Sequence, residues 1–149
     1  MIVRREQTLP GSPEEIWNVV SDPHRLPAWW PGVTRVEEAS PEAWTKVLLS
    51  PGGKAVRADY TRLEAEPPAH LKWRQELDES PFERLLHSST TAIDLTPAAG
   101  EQTRVRIAVE HRPRGWARLS PLQMRAATVK QVQGALEGLE RLVAGEEPL

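Results

Sequence analysis

Hydrophobic positions in this chain follow two periods, and the change from one to the other falls near Gly115. Upstream, apolar residues recur mostly at every second position, the spacing of strands with one buried face. Val33 to Glu38, Trp44 to Leu49, Ala55 to Leu63, His70 to Leu77, Glu83 to Leu95 and Thr103 to Arg112 all read this way. Clusters such as SPGG, EPP, ESP and PAAG separate them, so six strands in series joined by short turns predict an antiparallel meander. Downstream, Leu119, Leu122, Ala126, Val129, Val132, Leu136, Leu139 and Val143 form one stripe at helical spacing among Arg, Lys, Gln and Glu. A helix of roughly 25 residues would span close to 40 Å. Gly134 and Gly138 lie inside it, each at about 1 kcal/mol relative to Ala, which predicts close packing against the sheet.

Ahead of the meander, Ile2 to Leu9 alternates without a clean apolar face and is read as a further strand. If Leu9 points inward, so do Arg5 and Gln7. An inward arginine needs a partner, so Arg5 either sits at a wet rim or meets a carboxylate or an anionic ligand head. Ser12 is the expected N-cap of a helix with Pro13 at its first position, Glu14 and Glu15 in its first turn, and Ile16, Trp17, Val19 and Val20 as its buried stripe. Asp22 and Pro23 end it and start a second short helix, His24 to Trp29, closed by Pro31 and Gly32. The expected fold is therefore α+β. A curved seven-stranded antiparallel sheet carries two short helices after its first strand and a long C-terminal helix over its concave face. A straight helix cannot touch the whole of a curved sheet, so a cavity between them follows. No repeat or linker interrupts residues 1–149, which read as one domain with about 145–149 as a frayed tail.

Composition narrows the chemistry. Nineteen Lys and Arg against 21 Asp and Glu leave a formal charge of -2, giving no field to attract nucleic acid or an anionic membrane surface. There is no cysteine, which excludes disulfides, thiolate metal sites and a cysteine nucleophile. The N-terminus MIVRREQTL lacks the apolar core of a signal peptide, and no apolar run approaches a membrane span. The chain is thus expected to be cytoplasmic, without stable membrane insertion, and a monomer or weak dimer. Six Trp against one Tyr and one Phe is an unusual allotment that suits a core or the wall of a pocket.

The segment LPGSPEEIWNVVSDPHRLPAWWPGV resembles the opening of the START-like (SRPBCC) superfamily, of the polyketide cyclase/dehydrase and lipid-transport type. EAEPPAHLKW, DLTPAAGEQTRVRI and the terminal LEGLERLV support the resemblance in the same order along the chain. It implies a helix-grip fold with a ligand cavity between sheet and C-terminal helix. Lipid carriers, binders of hydrophobic ligands, aromatase/cyclases and heat-shock ATPase activators all share that fold, so it does not transmit one activity.

Hairpin geometry suggests what lines the cavity. If PAAGEQ pairs Leu95 with Val105, then Ile93 meets Ile107, Thr91 meets Val109 and Ser89 meets His111, all on one face. Pairing across ESPF would put Trp73 beside Ser89 and Gln75 beside His87, so that Gln75, His87, Ser89 and His111 form a polar end. His87 and His111 would be diagonal neighbours able to orient a ligand carbonyl or hydroxyl as acid or base, or else satisfied core residues. Trp29 and Trp30 divide between a lid over the ligand and a packing anchor. Trp116, Leu119, Gln123 and Ala127 are placed along the cavity side of the last helix, with Tyr60 a further wall candidate. No Ser-His-Asp set, phosphate loop, metal motif or cofactor signature is present in the sequence. The leading expectation is a carrier or binder of a small hydrophobic, aromatic or lipid-like ligand, without cofactor or metal. A cyclase- or dehydratase-like enzyme using the pocket histidines is the alternative, and an interaction module with a collapsed cavity is the second alternative.

Overall fold

The structure is a computed structural model that describes residues 1–50, 52–114 and 120–145. Strand β1 (Ile2–Pro10) leads into α1 (Pro13–Val20), a 3-10 turn (Pro23–Arg25) and the four-residue α2 (Leu26–Trp29). Six strands follow: β2 (Val33–Glu37), β3 (Ala43–Leu49), β4 (Ala55–Glu66), β5 (His70–Glu76), β6 (Leu86–Ala98) and β7 (Gln102–Pro113). Helix α3 (Pro121–Val143) closes the chain. All seven strands form one antiparallel curved sheet in the order β1-β7-β6-β5-β4-β3-β2, a meander with the first strand returned to its far edge. Alternation and turn chemistry predict this element order, and the family resemblance implies the helix-grip arrangement it forms.

Local signals act as expected. The Ser12 hydroxyl accepts from the backbone N–H of Glu15, with Pro13 at the first helical position. At the other end Ser120 and Gln123 form a reciprocal capping box that starts α3. Ser120→Ala is expected to lower stability by about 1 kcal/mol, read as a fall in Tm. Among the described residues no helix is long and apolar enough to cross a membrane.

The core is built from the inward parity of the strands and one face of α3. Val3 and Leu9 of β1, Leu71 of β5, Ile93 of β6 and Ile107 of β7 pack with Ile16, Val132 and Leu139, and each is fully buried. Helix α3 lies chiefly on β1, β7 and α2, so the concave surface of β3 to β6 is not filled by it. Gln7 of β1 donates to the Glu140 carboxylate and ties that edge to the helix. The opposite parity of the long strands, including Arg74, Arg104 and Arg106, stands in solvent.

Two expectations about α3 are corrected. Its inward face is Met124, Thr128, Val132, Ala135, Leu136 and Leu139, whereas Leu122 is 81% exposed and Ala126 is also exposed. Stepping back by four from Val132 gives Thr128 and Met124; the apolar stripe read through Ala126 and Leu122 drifts off that face. Gln123 is exposed for the same reason, and Ala127, also exposed, borders a hollow under the N-terminal half of α3 rather than the space between sheet and helix. The helix glycines, secondly, do not meet the sheet. A Cβ on Gly138 would stand 2.4 Å from the Trp29 carbonyl oxygen, and one on Gly134 would stand 2.9 Å from the Pro31 ring. Both glycines admit α2 and the residues after it, so they hold the short helix against the long one.

Candidate functional site

The β6–β7 hairpin sets the frame of the site. Leu95 pairs with Val105, Ile93 with Ile107, Thr91 with Val109 and Ser89 with His111, the register that the short PAAGEQ turn predicts. Gly100 and Glu101 take positive φ there, which makes the turn tight enough to fix that register. The neighbouring ladder differs from expectation: Trp73 pairs with Thr91 rather than Ser89. A slip of two residues keeps Trp73 and Gln75 on the inward face.

The same loop overturns the placement of His87. Between Leu77 and Leu86 the chain makes successive turns, with the N–H groups of Ser80, Glu83 and Leu86 donating to the carbonyls of Leu77, Ser80 and Phe82. Pairing with β7 then shifts between Leu86 and Ser88. Leu86 and Ser89 take the inward places, and His87 is exposed. The pair of histidines does not form.

Inside the grip lies a cavity of about 210 Å³. Its walls come from every strand between β3 and β7: Lys46 and Leu48, Tyr60, Gln75, Leu86, Ser89 and Thr91, Val109 and His111. Trp30 after α2, Phe82 of the β5–β6 loop and Gln131 of α3 complete it. A second hollow of about 270 Å³, under the N-terminal half of α3, shares Leu86, His111 and Gln131 with the first. Of the residues expected at the pocket, Trp30, Tyr60, Gln75, Ser89, Thr91, Val109 and His111 line it. Trp73 stands immediately behind that wall, fully buried. Trp29 is the packing anchor, its backbone pressed against Gly138. Trp116 and Leu119 lie outside the described residues. Arg5 is half-buried on β1, where it donates to the carbonyl of Arg4 rather than entering the cavity.

The residue that sequence reasoning missed is Lys46. It is 2% exposed, and its Nζ lies 4.2 Å from the ring centroid of Tyr60, 4.6 Å from Trp30 and 5.5 Å from Trp73. Trp30 and Trp44 both meet Trp73 edge to face, at 5.8 and 5.7 Å, and Trp44 stacks on Tyr60, so the rings form one cluster around the amine. Among the described residues no carboxylate pairs with it. Burial alone pushes its pKa down to about 7. Ring faces attract the ammonium but replace only part of its hydration. The same burial pushes the Tyr60 phenol up.

His111 supplies the other titratable wall. Burial, and next the charge of the N-terminal ammonium, hold its imidazole below the ordinary range, so it is neutral at pH 7. That ammonium donates to the His111 carbonyl and the His111 N–H donates back to the Met1 carbonyl, pinning the end of β7. Its Nδ1 is buried without a hydrogen-bond partner among the described residues. The cavity thus combines aromatic walls, a neutral imidazole, the amides of Gln75 and Gln131, the hydroxyls of Ser89 and Thr91, and an amine with no carboxylate partner among the described residues.

Comparison with known proteins extends these observations. The profile of the family described as polyketide cyclase / dehydrase and lipid transport matches residues 1–144. No curated protein matches significantly. Among solved structures, a conserved protein from Geobacillus kaustophilus is similar with a TM-score of 0.77 at 18% identity, covering 97% of this chain and 96% of its own. A START superfamily protein from Mycobacterium smegmatis gives a TM-score of 0.72 at 13% identity over 95% and 98% of the two chains. The di-domain ARO/CYC StfQ from the steffimycin biosynthetic pathway gives 0.70 at 18% identity over 94% of this chain and 50% of its own. Likeness at this identity establishes shared fold.

Proposed function

The chain belongs to the polyketide cyclase / dehydrase and lipid transport family, and from that membership we propose that it binds a small ring compound in the cavity between β3, β7 and α3. The observation that carries this reading is the cavity itself, about 210 Å³ with aromatic walls and a polar end at Gln75, Ser89 and His111. An apolar cavity of roughly 150 Å³ is enough to hold benzene, whereas drug-sized ligands take about 300–1,000 Å³. The size favours one or two fused rings over a long acyl chain.

Thermal-shift and native mass-spectrometric screens of one- and two-ring alcohols, phenols and ketones against C16 fatty acids test the reading. Ring compounds are expected to raise Tm and to quench tryptophan fluorescence, since Trp30 lines the cavity and Trp73 backs it. Binding confined to the fatty acids overturns it. Ser89→Leu, which adds apolar volume at the polar end, is expected to weaken ring binding at least tenfold.

An enzymatic reading is favoured by one observation, the neutral imidazole of His111 in the cavity wall. A cyclase- or dehydratase-like reaction needs a base near the operating pH, and His111 has that form. His87 cannot share the task from the surface, and Arg5 lies outside the cavity. Turnover of an enolisable ketone that disappears in His111→Phe while ring binding persists would establish it.

A further inference from the structure

We propose that the amine of Lys46 condenses reversibly with an aldehyde or ketone carbonyl of the ring compound in this cavity, making an imine. The inference rests on the ring-binding reading above and names the functional group of the ligand. Three features of the structure lead to it.

Lys46 is one of the residues lining the cavity and is 2% exposed, so its amine belongs to the wall that a bound ligand packs against. Among the described residues no carboxylate from the elements around it neutralises it. Trp30 follows α2, β4 contributes Tyr60, β5 contributes Trp73 and Gln75, and β7 contributes the neutral His111; Glu37, Arg57 and Asp59 of the adjoining strands are on the outer side. With its pKa lowered to about 7 by these surroundings, roughly half of the amine is free base at neutrality, the form that attacks carbonyl carbon. An ordinary lysine keeps less than roughly one amine in a thousand in that form at pH 7.

The step balances without a co-reactant. The Nζ lone pair forms the C–N bond as the carbonyl π pair moves to oxygen, giving a carbinolamine. The nitrogen pair then forms C=N, the C–O bond breaks, and oxygen leaves as water with the two amine protons. No oxidation or reduction occurs. His111 and the Tyr60 hydroxyl are the wall groups able to relay those protons.

Benzaldehyde and benzyl alcohol share a skeleton that suits the cavity and separate the two claims. The chain is incubated with benzaldehyde and cyanoborohydride at pH 7, and the benzylated residue is found by intact mass and peptide mapping. Lys46 is expected to acquire one benzyl group at least tenfold faster than Lys54, Lys72 or Lys130, and benzyl alcohol is expected to slow that labelling by competition. Lys46→Met should lose the fast label, and Lys54→Met should keep it. Label spread evenly over the four lysines, or confined to the Met1 α-amine, overturns the imine while leaving ring binding intact if benzyl alcohol still raises Tm. If benzyl alcohol neither raises Tm nor competes, the ring-binding reading fails, and this inference with it.

Discussion

Lys46→Met is expected to unfold with a free energy about 2–4 kcal/mol higher than the wild-type chain at pH 6. In the unfolded chain the Lys46 ammonium titrates near its ordinary 10.5, and in the folded chain burial pushes that down to about 7. Below pH 7 both states carry the charge, and the folded state bears the whole desolvation cost. Between pH 7 and 10.5 the unfolded chain binds more protons than the folded one, so wild-type stability rises with pH through this window. Above it the amine is neutral in both states and the penalty is gone. The ceiling on this effect is about 5 kcal/mol, at ~1.4 kcal/mol for each tenfold change in proton affinity. Attraction to the faces of Tyr60, Trp30 and Trp73 offsets part of it.

Methionine keeps the unbranched shape, has no charge and makes favourable contacts with ring edges. Urea denaturation at pH 6, 7.5 and 9 reads both parts of the claim. The gap between variant and wild type should narrow as pH rises. A variant less stable than wild type at pH 6 would mean that the ammonium has an anionic partner in the folded chain. The retention of so costly a group in an aromatic cluster is what makes it a functional candidate rather than a packing residue.

The sequence disclosed the site unevenly, and turn length explains why. The β6–β7 register was legible because PAAGEQ leaves little freedom and the alternation on both sides is strong. Across β5 and β6, ESPF predicts a short connection, but the chain spends Leu77 to Leu85 in a longer coil of turns. That displaced the pairing by two residues, which spared the facing of Trp73 and Gln75, and the bulge at Leu86/Ser88 then turned His87 outward. Lys46 escaped notice because AWTKVLL is apolar on both parities. Thr45, Val47 and Leu49 make as good an inward face as Trp44, Lys46 and Leu48, and only pairing with β4, Trp44 opposite Tyr60, decides between them. In α3 two stripes compete in the first turns, and contact with the rest of the protein selects the one with fewer apolar residues. The cavity followed from the element order and one wall from the β6–β7 turn, whereas the places of His87 and Lys46 depended on pairings that no local signal determines.

Gly138→Ala is expected to destabilise the protein by up to about 2 kcal/mol, the reverse of the ordinary outcome. Within an exposed helix, replacing glycine by alanine gains roughly 1 kcal/mol, because the unfolded backbone loses freedom. Here the added Cβ would stand 2.4 Å from the Trp29 carbonyl oxygen and 3.1 Å from its carbonyl carbon and Cα. Those are backbone atoms, so relief requires α2 and α3 to separate, and overpacking of this kind typically costs about 1–3 kcal/mol, enough to outweigh that gain. Gly134→Ala meets only the Pro31 ring, at 2.9 Å, and should be the milder change. The consequence reaches the cavity because Trp30 follows Trp29 directly and stands over Lys46 at 4.6 Å. Displacing α2 would lift that wall and relax the cage. Gly138→Ala should therefore weaken ring binding, and lower the selectivity of benzaldehyde for Lys46, even at temperatures where circular dichroism reports a folded chain. An unchanged or raised Tm would show that the two helices are not in fixed contact, and the cavity would then lack the wall that gives it its size.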